Sequence, residues 1–433
     1  MENRRVKMGG RGLVVLMFVI SMGAAAAAQA PTAGALTLAD AEKMLAERSL
    51  AVAQSRYQLD AAKALRLIAG YKPNPTIQVG AEQFPFASPA SSSVPRFWSS
   101  DQNAAAQPTY TVQFTKLFER GGKRELREQQ ADATVQAAEF QILDTLRTQL
   151  FQLRQAFASA VVARDNLTLA QSIVTQYDRM VDLTAVKVQA GDLPPVESAR
   201  VRAGRLQFAQ AAIDARNSYE LATRDVLNLL NLAPGEARAI TGDFADVPVA
   251  KSLSDLQAMS LEHRPDVQLA RRNLAAAASG LNLAQAQRTR DVAITGEYQR
   301  VGEDHTVGAL MQIPVFLYNN QRAGVTQADA QRHAAEASEH LVERQALTDV
   351  EKAYQSYLSA QQTLALYNAE NLAQVRHLQE VAEFTFRQGG TSLFELLEIQ
   401  RNTQQTLMAY NQARASYQVA LWQLEAAVGG PIF

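Results

Sequence analysis

Arg264-Pro265-Asp266-Val267-Gln268-Leu269-Ala270-Arg271-Arg272 replays Arg48-Ser49-Leu50-Ala51-Val52-Ala53-Gln54-Ser55-Arg56 at a distance of 264 − 48 = 216 positions. The match runs without a gap from Arg48–Gln83 onto Arg264–Gln299 and includes Arg48/Arg264, Arg56/Arg272 and Gly80/Gly296. Further along, the offset falls to 198, pairing Phe118 with Phe316, Arg124 with Arg322, Gly191 with Gly389 and Glu197 with Glu395. The difference, 216 − 198 = 18 residues, places an insertion in the first copy, within Pro85–Pro108, a stretch rich in Pro, Ser and Ala with turn chemistry. A unit of about 200 residues is a duplicated half and not a short solenoid repeat. The chain therefore divides into two similar halves, 31–230 and 255–428, with a linker at 231–254 and a tail at 429–433.

Composition narrows what the halves are made of. The 433 residues include only 14 Pro and 22 Gly and are crowded with Ala, Gln, Leu, Glu and Arg, the residues of long helices. A net charge of −1 gives no basic footprint for nucleic acid. The absence of Cys excludes disulfides, thiolate metal sites, cysteine catalysis and an acylated N-terminal Cys. Residues 1–30 read as a signal peptide: Arg4, Arg5, Lys7 and Arg11 precede the apolar run Leu13–Ile20, and Ala24–Ala30 offers small-residue cleavage sites near Ala28 or Ala30. As an anchor, Gly12–Ala28 is 17 residues, shorter than the ~20 a span needs.

Helices of unusual length follow. No Pro or Gly interrupts Arg124–Gln189, where Leu153, Phe157, Ala160, Leu167, Ala170, Val174, Tyr177, Val181, Thr184 and Val188 recur mostly at steps of three and four. That is a coiled-coil seam with Arg164 in its one missing slot. The spacing predicts long helices over 121–189 and 321–388, each a rod of roughly 100 Å, and shorter helices over Leu38–Tyr71, 196–230, Leu256–Gln287 and 393–427 that match a rod when placed end to end. Two tight turns, Ala190–Pro195 and Gln388–Ser392, reverse the chain at one far end, Gly ending one helix and Pro suiting the start of the next.

At the opposite end, 76–84, 109–118, 291–299 and 306–313 have a period of two, cleanest in Val292, Ile294, Gly296, Tyr298 against Ala293, Thr295, Glu297, Gln299. One apolar and one polar face suits a barrel wall with lipid outside and water inside, and equally a half-buried sheet. Four strands cannot close a barrel, and an open edge in lipid leaves backbone groups unpaired at several kcal/mol each. Two copies give 2 × 4 = 8 strands, about the size whose interior side chains fill. Three give 3 × 4 = 12 and leave a lumen.

With these lengths and repeats in place, the chain resembles the TolC-type outer-membrane efflux proteins from about Leu36 to Val428. The carrying motifs are Arg264-Pro265-Asp266-Val267-Gln268-Leu269-Ala270, Pro73-Asn74-Pro75, Leu117-Phe118-Glu119-Arg120-Gly121-Gly122-Lys123-Arg124, and Ala190-Gly191-Asp192-Leu193 with Glu197 and Arg200. Pro314-Val315-Phe316-Leu317-Tyr318-Asn319-Asn320-Gln321 is most similar to the CzcC-like heavy-metal branch. The resemblance implies a mainly α fold with membrane β: a homotrimer with a 12-stranded outer-membrane β-barrel and a periplasmic α-helical barrel. It implies a passive conduit fed by a periplasmic adaptor and an inner-membrane pump of the resistance-nodulation-division type, with no cofactor and no catalytic site, its cargo divalent heavy-metal cations or, as the alternative, a drug or other organic solute. It also implies that Glu395 and Glu398 ring the periplasmic aperture, where the best-known members carry Asp. The turn residues Gly191, Asp192, Leu193, Gly389, Gly390, Thr391, Ser392 and Leu393 would meet the adaptor, with an exposed Leu at each turn, and the linker and both termini would form an equatorial belt.

Other chemistry has little footing. His333 and His340 are seven apart, roughly 10 Å along a helix and too far for one metal ion without more ligands; His305 neighbours Asp304 in a strand connection. No nucleophile elbow, HExxH or phosphate-binding loop is present. An adaptor would carry one hairpin beside lipoyl-like modules, and a structural coiled coil would not repeat four alternating strands. The inserted loop, with Phe97 and Trp98 among Pro and Ser, reads as an exposed extracellular loop.

Overall fold

The computed structural model describes residues 35–83, 108–233, 238–244 and 249–432. The signal-peptide segment, nearly all of the 85–108 loop, Pro234, Gly235 and Pro248 lie outside the described residues. The elements run α1 (Leu38–Arg48), α2 (Leu50–Ala69), β1 (Thr76–Glu82), β2 (Thr109–Phe118), α3 (Lys123–Gln189), α4 (Pro195–Leu229), α5 (Leu253–His263), α6 (Pro265–Ala286), β3 (Val292–Val301), β4 (Asp304–Gln312), α7 (Arg322–Ala365), α8 (Ala369–Arg387) and α9 (Leu393–Val428). The strands form one antiparallel sheet in the order β1-β2-β3-β4.

α3 is an unbroken 67-residue helix, about 100 Å long, packed against α2, α4, α6 and α9. Of its seam, Leu153, Phe157, Ala160, Ala170, Tyr177 and Thr184 are buried and Leu167, Val174, Val181 and Val188 are half-buried. Arg164, the residue out of pattern, donates to the carbonyls of Ile240 and Gly242 in the linker. Apolar clusters are strung along the rod instead of gathered in one core. One lies at the waist around Leu45, Leu153, Phe157 and Leu230, a second around Leu256, Tyr357, Leu421 and Leu424, and a third at the tips around Tyr177, Val201, Phe386 and Leu396.

Three expectations are corrected. The second rod, read as 321–388, is divided at Leu366–Asn368 into helices of 44 and 19 residues. The short helices read as Leu38–Tyr71 and Leu256–Gln287 are each divided, at Ser49 and at Arg264, where the backbone turns extended. Arg264 precedes Pro265, and a residue before Pro is pushed out of the helical region. The gap-free offset of 216 also fails. The break residues differ by 264 − 49 = 215, and strand pairing puts Gly80 beside Thr111 but Gly296 beside Phe114, on opposite faces. With a period of two, a one-residue slip reverses every side chain.

Arginines secure the waist, Arg154 and Arg147 across the two halves and Arg264 within the second. Arg154 joins Glu42 at 2.6 Å to Glu425 at 2.7 Å and lies over the Trp422 ring. Arg147 pairs with Asp144 and donates to the Ala426 carbonyl. Arg264, 3% exposed, holds Asp266 at 2.6 Å and Asp349 at 3.1 Å and donates to the Ala427 carbonyl. Burial works against a charged Asp266, but Arg264, with Arg147 near, holds its carboxyl below the usual carboxylate range. Gly429 (φ +82) ends α9 so close to Arg264 that a Cβ there would lie 2.8 Å from the Arg264 Cα. Beside the rods, Leu36 pairs with Ile240 as a short parallel bridge, so the start of the described chain and the linker run together at the waist.

Candidate functional site

Two regions are the candidates for a functional site: the sheet at one end and the helical turns at the other. Pairing sorts every strand residue by face. One face presents Ile77, Val79, Tyr110, Val112, Phe114, Ile294, Tyr298, Val307 and Met311; the other presents Gln78, Thr111, Gln113, Thr115, Thr295, Glu297, Gln299 and Thr306. In the central strands the apolar face is the more exposed, Phe114 by 49% and Ile294 by 46%, while the polar partners are half-buried. The sheet thus curves toward its polar side, as a barrel wall with a wet lumen does. Among the described residues nothing pairs with the outer edge of β1 or of β4. No described helix is long and apolar enough to cross a membrane.

At the other end the two turns share one geometry. Gly191 (φ +83) and Gly389 (φ +81) take the left-handed conformation. The Asp192 N–H donates to Lys187 O and the Gly390 N–H to Thr385 O, both at 2.9 Å, closing each helix through its last carbonyls. The turns then differ: α4 starts with Pro195 at its first position, whereas α9 is capped by Ser392, whose hydroxyl accepts from the Glu395 N–H at 3.2 Å. Lys187 bridges the tips, its Nζ donating to the carbonyls of Phe386 and Arg387, where the end of α8 is electronegative.

Glu395 is exposed and forms no ion pair within the described residues, whereas the half-buried Glu398 pairs with Arg401 on its own helix. The two carboxylates therefore do not carry equal free charge. Gly191, Asp192, Gly389, Gly390 and Ser392 are exposed and Leu193 and Thr391 are half-buried. Leu393 is not the exposed residue expected: it is 5% exposed and packs into the tip cluster with Phe386 and Leu396. The exposed apolar residues are Val186, Val196, Phe384 and Phe394, which sequence reading missed. The repeat offset would have found them, since 384 − 186 and 394 − 196 both equal 198. His333 sits near Asp329 and Glu336, His340 near Glu343, and no group of three or more metal-ligating side chains occurs among the described residues.

The outer membrane efflux protein family matches residues 42–232 and 256–430. The chain belongs to that family. The pyoverdine export outer membrane protein OpmQ of Pseudomonas putida is 24% identical over 358 residues, covering 79% of this chain and 73% of its own length. The cobalt-zinc-cadmium resistance protein CzcC of Cupriavidus metallidurans is 21% identical over 322 residues, covering 73% and 71%. The solved outer-membrane channel OprN superposes with a TM-score of 0.74 at 20% identity over 91% of this chain and 90% of that one. As an outer membrane efflux protein, the chain is an efflux channel component of the outer membrane whose helices extend into the periplasm.

Proposed function

We propose that three copies close one barrel of 3 × 4 = 12 strands, β1 of each pairing with β4 of the next, and that their helices continue it as a periplasmic duct. The carrying observation is the open sheet: its apolar face and its two edges, unpaired among the described residues, have to be completed in lipid. The duct is a passive conduit; a resistance-nodulation-division pump drives export through a periplasmic adaptor that docks on the tips. There the turn residues form the rim, Leu393 the floor, and Val196 and Phe394 the apolar contacts. Glu395 lines the aperture, with Glu398 neutralised by Arg401. Divalent heavy-metal cations are the cargo, supported by the similarity to CzcC. The similarity to OpmQ favours a second reading, export of a metal-chelating organic solute.

Native mass spectrometry of the detergent-extracted protein tests the assembly: a three-chain species that becomes one chain on boiling is expected, and a monomer before boiling sinks the shared barrel. Val196→Asp with Phe394→Asp should leave that trimer intact while adaptor crosslinking falls about tenfold or more, as loss of apolar interface anchors does; unchanged crosslinking removes the docking assignment. A deletion strain sensitised to zinc, cobalt or cadmium supports the metal cargo, and one starved only of chelator export supports the second reading. For the aperture, Glu395→Gln should change single-channel conductance, whereas Glu398→Gln together with Arg401→Gln, which removes the ion pair whole, should not; no change with Glu395→Gln rejects it.

A further inference from the structure

Strand pairing separates the charges of the wall as cleanly as it separates its hydropathy. Across β1–β4 the carboxylates are Glu82, Glu297 and Asp304, and the permanent cations are Lys116 and Arg300. Glu82 is opposite Thr109, Glu297 lies between Gln113 and Gly308, and Asp304 is opposite Val301, so all three carboxylates fall on the polar face. Arg300 pairs across the strands with Tyr110 and His305, and Lys116 with Ile294, so both cations fall on the apolar face. Each cation sits near a strand end and is bound to backbone, Lys116 to Pro73 O and Arg300 to Gly302 O.

Glu297 is the carboxylate deepest in the wall, the sixth of the ten residues of β3. It makes no ion pair among the described residues, and the glycine across from it on β4, Gly308, has open space where a Cβ would be. Its charge therefore faces the lumen without a counter-charge on that face of the wall. A fixed charge in a narrow aqueous pore with low-dielectric walls concentrates ions of opposite sign and repels those of like sign. It acts by its field and coordinates nothing.

We infer that Glu297 is a selectivity-determining residue of the barrel, favouring cations over anions at mid-wall. The inference rests on the shared-barrel reading and is separable from it. In planar bilayers with a potassium chloride gradient, wild-type protein should show a reversal potential favouring potassium. Glu297→Gln should lower the cation-to-anion permeability ratio by about twofold or more at low salt, an effect that shrinks as salt screens it. Glu297→Lys should lower it further, and Arg300→Gln, on the lipid face, should leave it unchanged. Conducting Glu297→Gln and Glu297→Lys channels with the wild-type ratio overturn the inference and leave the conduit standing. An Arg300→Gln shift as large as that of Glu297→Gln overturns the face assignment. Wild-type protein that gives no conductance steps removes the conduit reading and this inference with it.

Discussion

In the first half Arg48 is the last residue of α1 and is exposed, whereas in the second half Arg264 follows α5 and is buried among Asp266, Asp349 and the Ala427 carbonyl. The two arginines match in the repeated sequence, yet in the structure Arg264 stands one position on, at the break that the buried Ser49 occupies in the first half. The slip brings Arg264 to the break, and the C-terminal helix decides what it binds there. α9 packs beside α3, α5 and α7, so the end of the chain covers the opening of the second half, and the last carbonyls of α9 need donors there. A duplicated sequence conveys an outline; the surroundings of each copy decide which of its charged residues become structural.

The largest expected effect breaks that comparison directly. Arg264→Ala leaves Asp266 and Asp349 without their shared guanidinium and the Ala427 carbonyl without its side-chain donor and should destabilise by about 3–5 kcal/mol, while Arg48→Ala should stay within about 0.5 kcal/mol. Thermal loss of helical circular dichroism in detergent measures both, and equal costs would mean that the burial of Arg264 is not what matters. The same pair predicts a pH dependence. Asp266 has a folded pKa below its unfolded value, so its contribution is complete above the ordinary carboxylate range and is lost as pH falls through and below about 4. Asp266→Asn should lower stability at neutral pH and flatten the acid limb of the profile. An unchanged acid limb would assign acid sensitivity to other carboxylates.

Much of this was legible in the sequence, and the failures have physical causes. The seam of α3 and the turns at Gly191 and Gly389 were visible because periodicity and left-handed glycine are local signals. The faces of the sheet were visible from alternation in Tyr110, Val112 and Phe114. The identity of Gly80 and Gly296 misled, because one residue of slip costs nothing in an alignment and reverses a strand. Ser49 and Leu366–Asn368 break helices without Pro or Gly, and the capping residue Asn368 is the one local sign of the second break. Pro265 did announce the break at Arg264. Leu393 was misplaced because exposure at a turn depends on the direction in which the next helix leaves, and here it turns Leu393 down onto Phe386. Glu398 lost half its apparent role to Arg401, a neighbour three residues on.

The smallest effect sharpens the comparison between the rods. From the left-handed cap Gly122 to the tip Gly191 the chain takes 191 − 122 = 69 steps, and from Gln321 to Gly389 it takes 389 − 321 = 68. In an unbroken helix, one residue fewer would turn every later side chain by about 100°, carrying the tip seam off its partner. The second rod instead stops and restarts. Asn368 caps α8 by accepting from the Asn371 N–H at 2.8 Å, and Asn371 donates back to the Leu366 carbonyl at 2.9 Å, so the break satisfies its own loose backbone groups. Asn368→Ala should therefore cost about 1 kcal/mol, confined to the break and read as faster amide exchange over 366–374. Thr168→Ala, in the continuous stretch of α3, removes only a hydroxyl bonded to its own helix at Arg164 O and should leave exchange there unchanged. If both variants loosen their rods alike, the break is an incidental kink. If only the second rod responds, it is the point at which a shorter helix recovers the register its tip requires.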